Sequence, residues 1–486
     1  MKNHPISAWP ICILLCPVLL WIASCALNPV TGQRELMLLS ESDEMRLGQT
    51  TDAEIVKSYG MYDDATLGAY IGDLGQRIAK VSHRPHLSFQ FKVLDSAVVN
   101  AFAVPGGYVY LSRGILSYLN SEAELAGVIG HEIGHVAARH SAQQVSKAQL
   151  TQLGLGLGAA LSEDFRRYAD LAQFGVGMLF LRFSRDNERQ ADDLGVEYAS
   201  KAGFDASHMA NFFTTLKHLH PSSDRAGLPS WFSTHPDPPD RIRAVQERAQ
   251  QWALRLGTGK LQVNRDAYFR AIDGLVFGED PRQGYVDDNV FYHPELAFQF
   301  PVPSGWKLNN TPAQVRIVNK KQDAVILFSL ASGRSPKEVA LKFTKETNAQ
   351  IIQFDDIRIN GLPATRMISH VATQQGPVRL MSSFIQKDMH IYVFRGFTEP
   401  SLFQKYASFF QNTMDGFKTL SDPRRINVKP DRLRIRVTKK AATLRDSFRS
   451  LGVPDKELED MALLNGRELH DRILPKTLLK TVEKGR

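Results

Sequence analysis

The chain opens with an almost unbroken apolar run. Lys2 is followed by apolar residues from 6 to 23, and small residues close the run. A short positive start, an apolar stretch and a small-residue end describe a secretory signal. Beyond it the pattern becomes periodic. Residues 41–59 and 64–82 carry apolar positions three and four apart, among them Leu67, Tyr70, Ile71, Leu74 and Ile78, which predicts two helices. Residues 87–94 alternate like a strand. Val104-Pro105-Gly106-Gly107 reads as a turn, and 108–111 as a second strand. Ser121 and Glu124 fit a capping box, in which two orphan backbone donors are satisfied reciprocally, so a helix is predicted from Ser121 to about Ser146. Residues 150–161 and 168–183 are rich in Leu and Gly and shorter than the ~20 residues a membrane span needs. They read as packed helices or a hairpin flap. Further helices are predicted over 188–201, 207–219 and 240–256.

The pattern changes near Tyr292. Short strands dominate to about Lys418, at 297–302, 314–318, 324–330, 357–359, 378–385 and 389–395. Helices are interleaved at 336–346 and 401–417. This predicts a compact α+β unit. Asp422-Pro423-Arg424-Arg425 reads as a hinge, followed by a small unit of strand, two helices and strand. The predicted division is a signal peptide over 1–24, a first domain over 25–260, a connecting region over 261–288, the α+β unit over 289–421 and a terminal unit over 424–486.

Composition refines this picture in two places. The 486 residues hold 59 Lys and Arg against 51 Asp and Glu, a net charge of +8. Residues 424–486 alone hold 17 Lys and Arg against 9 Asp and Glu, so the whole excess sits in the terminal unit. The positive charge is therefore local, and together with a secretory signal it removes nucleic acid as a partner. The only cysteines are Cys12, Cys16 and Cys25. No disulfide framework and no cysteine-held metal is possible in the body of the chain. A metal there must be held by His, Asp or Glu.

Such a set is present. His131-Glu132-Ile133-Gly134-His135 is H-E-x-x-H, placed within the helix that starts at Ser121. Residues four apart share one helical face, so both imidazoles can reach one ion. Zn²⁺ accepts imidazole nitrogen and carboxylate oxygen, and a catalytic site keeps one position for water. Glu132, beside the metal, is placed to take a proton from that water. The segment from Ser184 to Asp192 supplies a third ligand: Glu188 for the metal, with Asp192 four residues on to accept a hydrogen bond from a ligand imidazole.

These residues resemble the zinc metallopeptidases that include HtpX, the membrane CAAX-prenyl proteases and the BepA-type periplasmic lipoproteins. Four blocks carry the resemblance: Asn100-Ala101-Phe102-Ala103-Val104-Pro105-Gly106-Gly107, His131 to His140 as H-E-x-x-H-x-x-x-x-H, Ser184 to Asp192 as S-R-x-x-E-x-x-A-D, and Thr234-His235-Pro236 with Asp240-Arg241-Ile242. The resemblance implies zinc held by His131, His135 and Glu188, with Glu132 as catalytic base. It implies that the segment holding Asn100, Ala101, Phe102, Gly106 and Gly107 leads into an edge strand that binds extended substrate by backbone pairing. His140 is either an outer partner of the metal ligands or a core residue. His235 either caps the fourth position and silences the enzyme or stabilises the oxyanion during turnover.

Ile22-Ala23-Ser24-Cys25 resembles the lipobox of bacterial lipoproteins, and Asn28-Pro29-Val30-Thr31-Gly32 resembles the segment that follows it in the lipoprotein members. The implication is a lipidated Cys25 and an address on the periplasmic side of the outer membrane, with the inner membrane as the alternative. Residues 289–421 weakly resemble the PsbP/Mog1-like sandwich. Residues 433–482 weakly resemble a LysM module, with Ala441-Ala442-Thr443 in place of its G-D-T turn. The expected fold is therefore multidomain: a mostly α, zincin-type metalloprotease domain with a small edge sheet, an α+β (PsbP/Mog1-like) module and a small LysM-like βααβ unit. The expected function is a lipid-anchored zinc endopeptidase acting on unfolded or misassembled envelope proteins. The alternatives are a latent or non-proteolytic chaperone for outer-membrane proteins and, from the basic tail, a binder of peptidoglycan or anionic lipid.

Overall fold

The computed structural model describes residues 25–152, 182–219, 230–236, 240–257, 260–373 and 376–485. The expected signal over 1–24 and most of the expected hairpin over 150–183 lie outside the described residues. Among the described residues no helix is long and apolar enough to cross a membrane.

A short hairpin, β1 (Cys25–Leu27) and β2 (Arg34–Leu36), leads into helices α1 (Glu41–Tyr59) and α2 (Ala65–Ala79). Ser40 and Asp43 form a reciprocal capping box on α1, and Asp64 accepts the Leu67 N–H at the start of α2. Strands β3 (Gln90–Leu94), β4 (Ala101–Val104) and β5 (Tyr108–Ser112) form a sheet in the order β3-β5-β4. The Asn100–Gly107 block thus itself holds the edge strand, antiparallel to β5, rather than leading into one. Gly106 and Gly107 turn the chain with φ of 83° and 94°, a region that glycine occupies without strain.

After α3 (Arg113–Tyr118) comes the central helix, α4 (Glu122–Ala137), every residue of which is buried. Its cap departs from the expected box. Ser121 Oγ accepts the Glu124 N–H at 3.1 Å, but Glu124 Oε2 accepts the Asn120 N–H at 2.7 Å instead of that of Ser121. The single helix expected to Ser146 is also two helices. Arg139, at φ 58°, breaks it before α5 (His140–Gln152). A left-handed arginine costs about 1–2 kcal/mol, and a buried ion cluster offsets it. Arg84 donates to Glu44 at 2.9 Å and to the Val136 carbonyl at 3.1 Å, while Arg139 donates to Glu44 and, at 2.8 Å, to the Leu39 carbonyl. A C-terminal carbonyl of α4 is thereby satisfied by a side chain.

Helices α6 (Arg185–Lys201), α7 (Met209–His218), α8 (Trp231–Thr234), α9 (Arg241–Leu256) and α10 (Arg265–Ala271) complete this body. Helix α6 approaches α4 through paired glycines. A Cβ on Gly195 would stand 2.9 Å from the His131 backbone nitrogen, and one on Gly130 would stand 2.8 Å from the Gly195 oxygen. Only glycines bring the two backbones this close.

The next unit has a separate aromatic core that includes Phe298, Phe300, Phe328, Phe394, Phe410 and Phe417. Strands β6 (Tyr285–Asp287), β7 (Val290–His293), β8 (Phe298–Pro301), β9 (Lys307–Asn310), β10 (Val315–Val318) and β11 (Ala324–Ala331) precede α11 (Pro336–Thr347). They are followed by β12 (Gln350–Ile359), β13 (Leu362–Thr373), β14 (Gly376–Lys387), β15 (His390–Thr398), α12 (Phe403–Asp415) and β16 (Lys418–Thr419). One antiparallel sheet runs β12-β13-β14-β15-β11-β10-β9, and a smaller one runs β16-β8-β7-β6.

The terminal unit holds α13 (Pro423–Ile426), β17 (Arg432–Val437), β18 (Ala442–Thr443), α14 (Leu444–Ser450), α15 (Leu458–Leu464), β19 (Arg472–Ile473) and β20 (Leu478–Glu483). Its apolar residues Leu433, Leu444, Phe448, Leu464 and Leu479 join the same core as α4. Buried Lys480 donates to the Ser117 and Leu119 carbonyls at 2.7 and 2.9 Å. This unit therefore braces the chain just ahead of α4.

Candidate metal centre

His131 and His135 stand one turn apart on α4, with their Nε2 atoms 3.0 Å from each other. Glu188, in the first turn of α6, brings Oε1 to 3.4 Å from His135 Nε2 and Oε2 to 3.7 Å from His131 Nε2. Its placement follows from the cap: Ser184 and Asn187 form a reciprocal box that fixes where α6 begins. His235 follows α8 and closes the group. Its Nδ1 lies 3.0 Å from Glu188 Oε1 and 3.3 Å from His131 Nε2. The four ligand atoms lie within 4.8 Å of one another, and all four residues are buried.

The hydrogen bonds around the group set its tautomers. The Asp192 carboxylate accepts from His131 Nδ1 at 2.9 Å, which leaves a lone pair on His131 Nε2. Gln190 Oε1 accepts from His140 Nε2 at 2.9 Å, so His140 Nδ1 accepts from His135 Nδ1, also at 2.9 Å. His135 Nε2 then carries a lone pair as well. Two lone pairs face each other across 3.0 Å, an arrangement that a shared cation stabilises. Burial keeps both rings neutral: it pushes His135 down to about 3 and holds His131 below its ordinary value, partly against Glu188. It also pushes His140 down to about 3.

Charge balance makes the same demand. Glu132, Glu188 and Asp192 are three buried carboxylates, and among the described residues Arg241 is the one buried guanidinium beside them. Ionised together they outnumber the positive groups that face them, Arg241 and the raised His235, and excess charge is costly in a dry interior. A divalent cation would offset the excess. Histidine nitrogen and carboxylate oxygen without thiolate is a set that suits zinc.

Glu132 lies beside the group, with Oε1 3.7 Å from His235 Nε2. Neither of its oxygens has a hydrogen bond of ordinary geometry among the described residues. Burial pushes it up to about 7, while His235, Arg241 and the Ala103 backbone amide on β4 oppose the rise. Burial likewise lifts Asp192 to about 6, against Arg241. Burial opposes charge on Glu188, yet His235 and the two ligand histidines outweigh it and hold this carboxyl well below the usual range. His235 is the counterpart: burial works against its charge, but Glu188 and Glu132 raise it.

Three side chains at this site carry no role in the sequence reading. Arg241 Nη2 donates to Asp192 Oδ1 at 2.7 Å, lies 3.5 Å from Glu188 Oε2, and stacks 3.8 Å from the Phe213 ring centre. Trp231 stacks on His235 at 4.4 Å and 24°, and Phe183 stacks on His135 at 4.0 Å and 29°. The signal for Arg241 was its place at the first turn of a helix just after His235. A single arginine there reads equally as a solvated surface residue.

The expected substrate-binding residues are placed by packing. Asn100 and Ala101 are fully buried, and Phe102 stacks on Tyr110 at 4.9 Å. The free side of β4 is a backbone edge of the sheet. The Trp231 N–H already donates to the Val99 carbonyl at 3.1 Å, so the His235 segment is docked at the start of that edge. Cys25 lies within β1.

Two histidines and a glutamate at one point, with a second buried glutamate beside them, define an H-E-x-x-H zinc metallopeptidase domain. Residues 67–249 match the profile of Peptidase family M48. The beta-barrel assembly-enhancing protease of Escherichia coli is 32% identical over 232 residues, 46% of this chain and 47% of that protein. A mitochondrial metalloendopeptidase of Schizosaccharomyces pombe is 31% identical over 227 residues, 45% of this chain and 65% of that protein. The chain thus spans about half the length of the bacterial relative. Among solved structures, the cyanobacterial PsbP protein of Synechocystis is similar over 27% of this chain and 91% of its own, with 13% identity and a TM-score of 0.24.

Proposed function

We propose that the chain is a lipid-anchored periplasmic zinc endopeptidase that cleaves unfolded or misassembled envelope proteins and is latent at rest. The observation that carries this reading is the convergence of His131, His135, Glu188 and His235 with buried Glu132 beside them. The names of the relatives support the substrate class, and the lipobox-like Ile22-Ala23-Ser24-Cys25 supports the anchor.

Zinc in this set polarises a scissile carbonyl and acidifies water. The chain's own residues do the rest. His131, His135 and Glu188 hold the ion, with Asp192 and His140 fixing the two imidazoles. Glu132 accepts a proton from the attacking water and returns it to the departing amine nitrogen. The β4 backbone pairs with an extended substrate segment, which only an unfolded or loosely folded chain can present. His235 would serve as a further ligand at rest, and its segment would have to leave Val99 and the edge of β4 for the site to open. The positive terminal unit is suited to an anionic envelope partner, peptidoglycan or lipid, alongside the chemistry.

The substrate class is tested with one outer-membrane β-barrel protein presented unfolded and, separately, folded in detergent. The unfolded form is expected to be cut roughly tenfold faster or more, because only it offers strand-length segments to an edge. Equal rates on the two forms would remove the quality-control reading.

A further inference from the structure

The N-terminal hairpin has two unlike faces. Cys25 pairs with Leu36, Ala26 with Glu35 and Leu27 with Arg34. Directly opposed residues share a face, and alternate residues along a strand do too. Glu35 faces the body, accepting from Asn28 Nδ2 at 2.9 Å and from Gln143 on α5. Leu27, Arg34 and Leu36 therefore share the opposite face, where Leu27 is 59% and Leu36 37% exposed. The alternation continues past the strand. Met37 is buried and Leu39 packs against the cluster formed by α1 and β4, while Leu38 between them is 38% exposed. Isolated exposed leucines are ordinary. Three on one side of a short segment whose other side is docked form a patch.

The hairpin is fastened to the metal helix. Asn28 is buried, its Oδ1 accepts from the Val30 and Thr31 amides at 2.9 and 3.3 Å, and its Nδ2 donates to the Ala138 carbonyl at 3.4 Å. Ala138 caps α4 three residues after His135. The Leu38 N–H donates to Ser146 Oγ on α5 at 3.0 Å.

We propose that the face formed by Leu27, Arg34, Leu36 and Leu38 rests on a lipid bilayer and holds the metal centre at the membrane surface. This rests on the reading of Cys25 as the lipid attachment point. Continuity argues for the bilayer as occupant, since Leu27 stands two residues from Cys25. The chemistry agrees: leucines enter the acyl boundary while a guanidinium meets anionic headgroups. The path is short. Three residues from Cys25 to Asn28 span at most about 11 Å, and Ala138 to His135 is about 5 Å of helix. The cleft thus lies on the order of 20 Å from the attachment point. Its substrates are then segments presented at the bilayer surface rather than free in the periplasm.

The test uses the full lipidated chain in phosphatidylethanolamine–phosphatidylglycerol vesicles. An environment-sensitive fluorophore is placed at Leu36→Cys or, as a control, at Met389→Cys, a position 93% exposed in the turn between β14 and β15. Cys12 and Cys16 leave with the signal and the Cys25 thiol is acylated, so the introduced thiol is the free one. Brominated lipid is expected to quench the label at 36 roughly threefold more than at 389, with a blue-shifted emission at 36 alone. Equal quenching at both positions, in protein whose mass shows acylated Cys25, overturns the proposal and leaves the anchor standing. A mature mass without acyl chains overturns the anchor and the proposal together.

Discussion

His235→Ala is expected to raise the rate of cleavage of an unfolded polypeptide by about tenfold or more, the gain that follows if the resting site is open in roughly a tenth of molecules or fewer. The argument is one of coordination. His131, His135, Glu188 and His235 all offer ligand atoms within 4.8 Å, and a zinc site with four protein ligands has no position for water. His235 is held there firmly. Its N–H donates to the Trp231 carbonyl at 2.8 Å, its ring stacks on Trp231, and Phe183 lies 5.6 Å from it. Removing the imidazole opens the fourth position and loosens the hold of α8 on the edge of β4. The rate on an unfolded substrate, with metal content and circular dichroism matched to the parent, is the measurement. A variant slower than the parent would instead assign His235 to stabilising the oxyanion.

Glu132→Gln, made in the His235→Ala background, is expected to lower kcat/KM by about 10²–10⁴, the usual contribution of a positioned general base. The exchange is isosteric. The Glu132 oxygens have no hydrogen bond of ordinary geometry among the described residues, and the amide oxygen of Gln can still face the Ala103 N–H and His235. Glu132 is also outside the group able to hold the ion, so metal content should stay the same. Loss of activity with metal and fold intact isolates proton transfer as the missing step. Metal-dependent cleavage at the parental rate would assign the base to another group.

Much of the site was legible because its chemistry follows helical spacing. His131 and His135 four apart, and Glu188 followed by Asp192 four later, put the right atoms on single faces before any tertiary contact is known. What spacing did not give was the break at Arg139. The apolar pattern continues past it, while its cause is a buried ion cluster with Glu44 and Arg84, distant in sequence. That break turns His140 back onto His135 Nδ1. Arg241 was missed for a related reason: a guanidinium becomes part of a metal site only when tertiary structure buries it beside Asp192 and Glu188.

In the α+β unit the interior strand β13 was not predicted at all, and β12 was predicted only at its end. Pro363 and the polar residues Thr365, Ser369 and His370 dilute the alternation of β13, and strand character there comes from pairing with β12 and β14 along their length. The terminal unit reads in sequence as a detached basic module. Its packing depends on a few apolar residues and on Lys480, whose carbonyl partners lie more than three hundred residues earlier.

The most direct test of the central claim is a metal measurement coupled to cleavage. Purified chain beginning at Ala26 should carry one zinc per molecule. A chelator should abolish cleavage of unfolded polypeptide by the His235→Ala form, and added zinc should restore it. Glu188→Ala should lose the zinc while His235→Ala keeps it. Cleavage that persists in chelated protein without bound metal would contradict the assignment of His131, His135 and Glu188 as the metal centre.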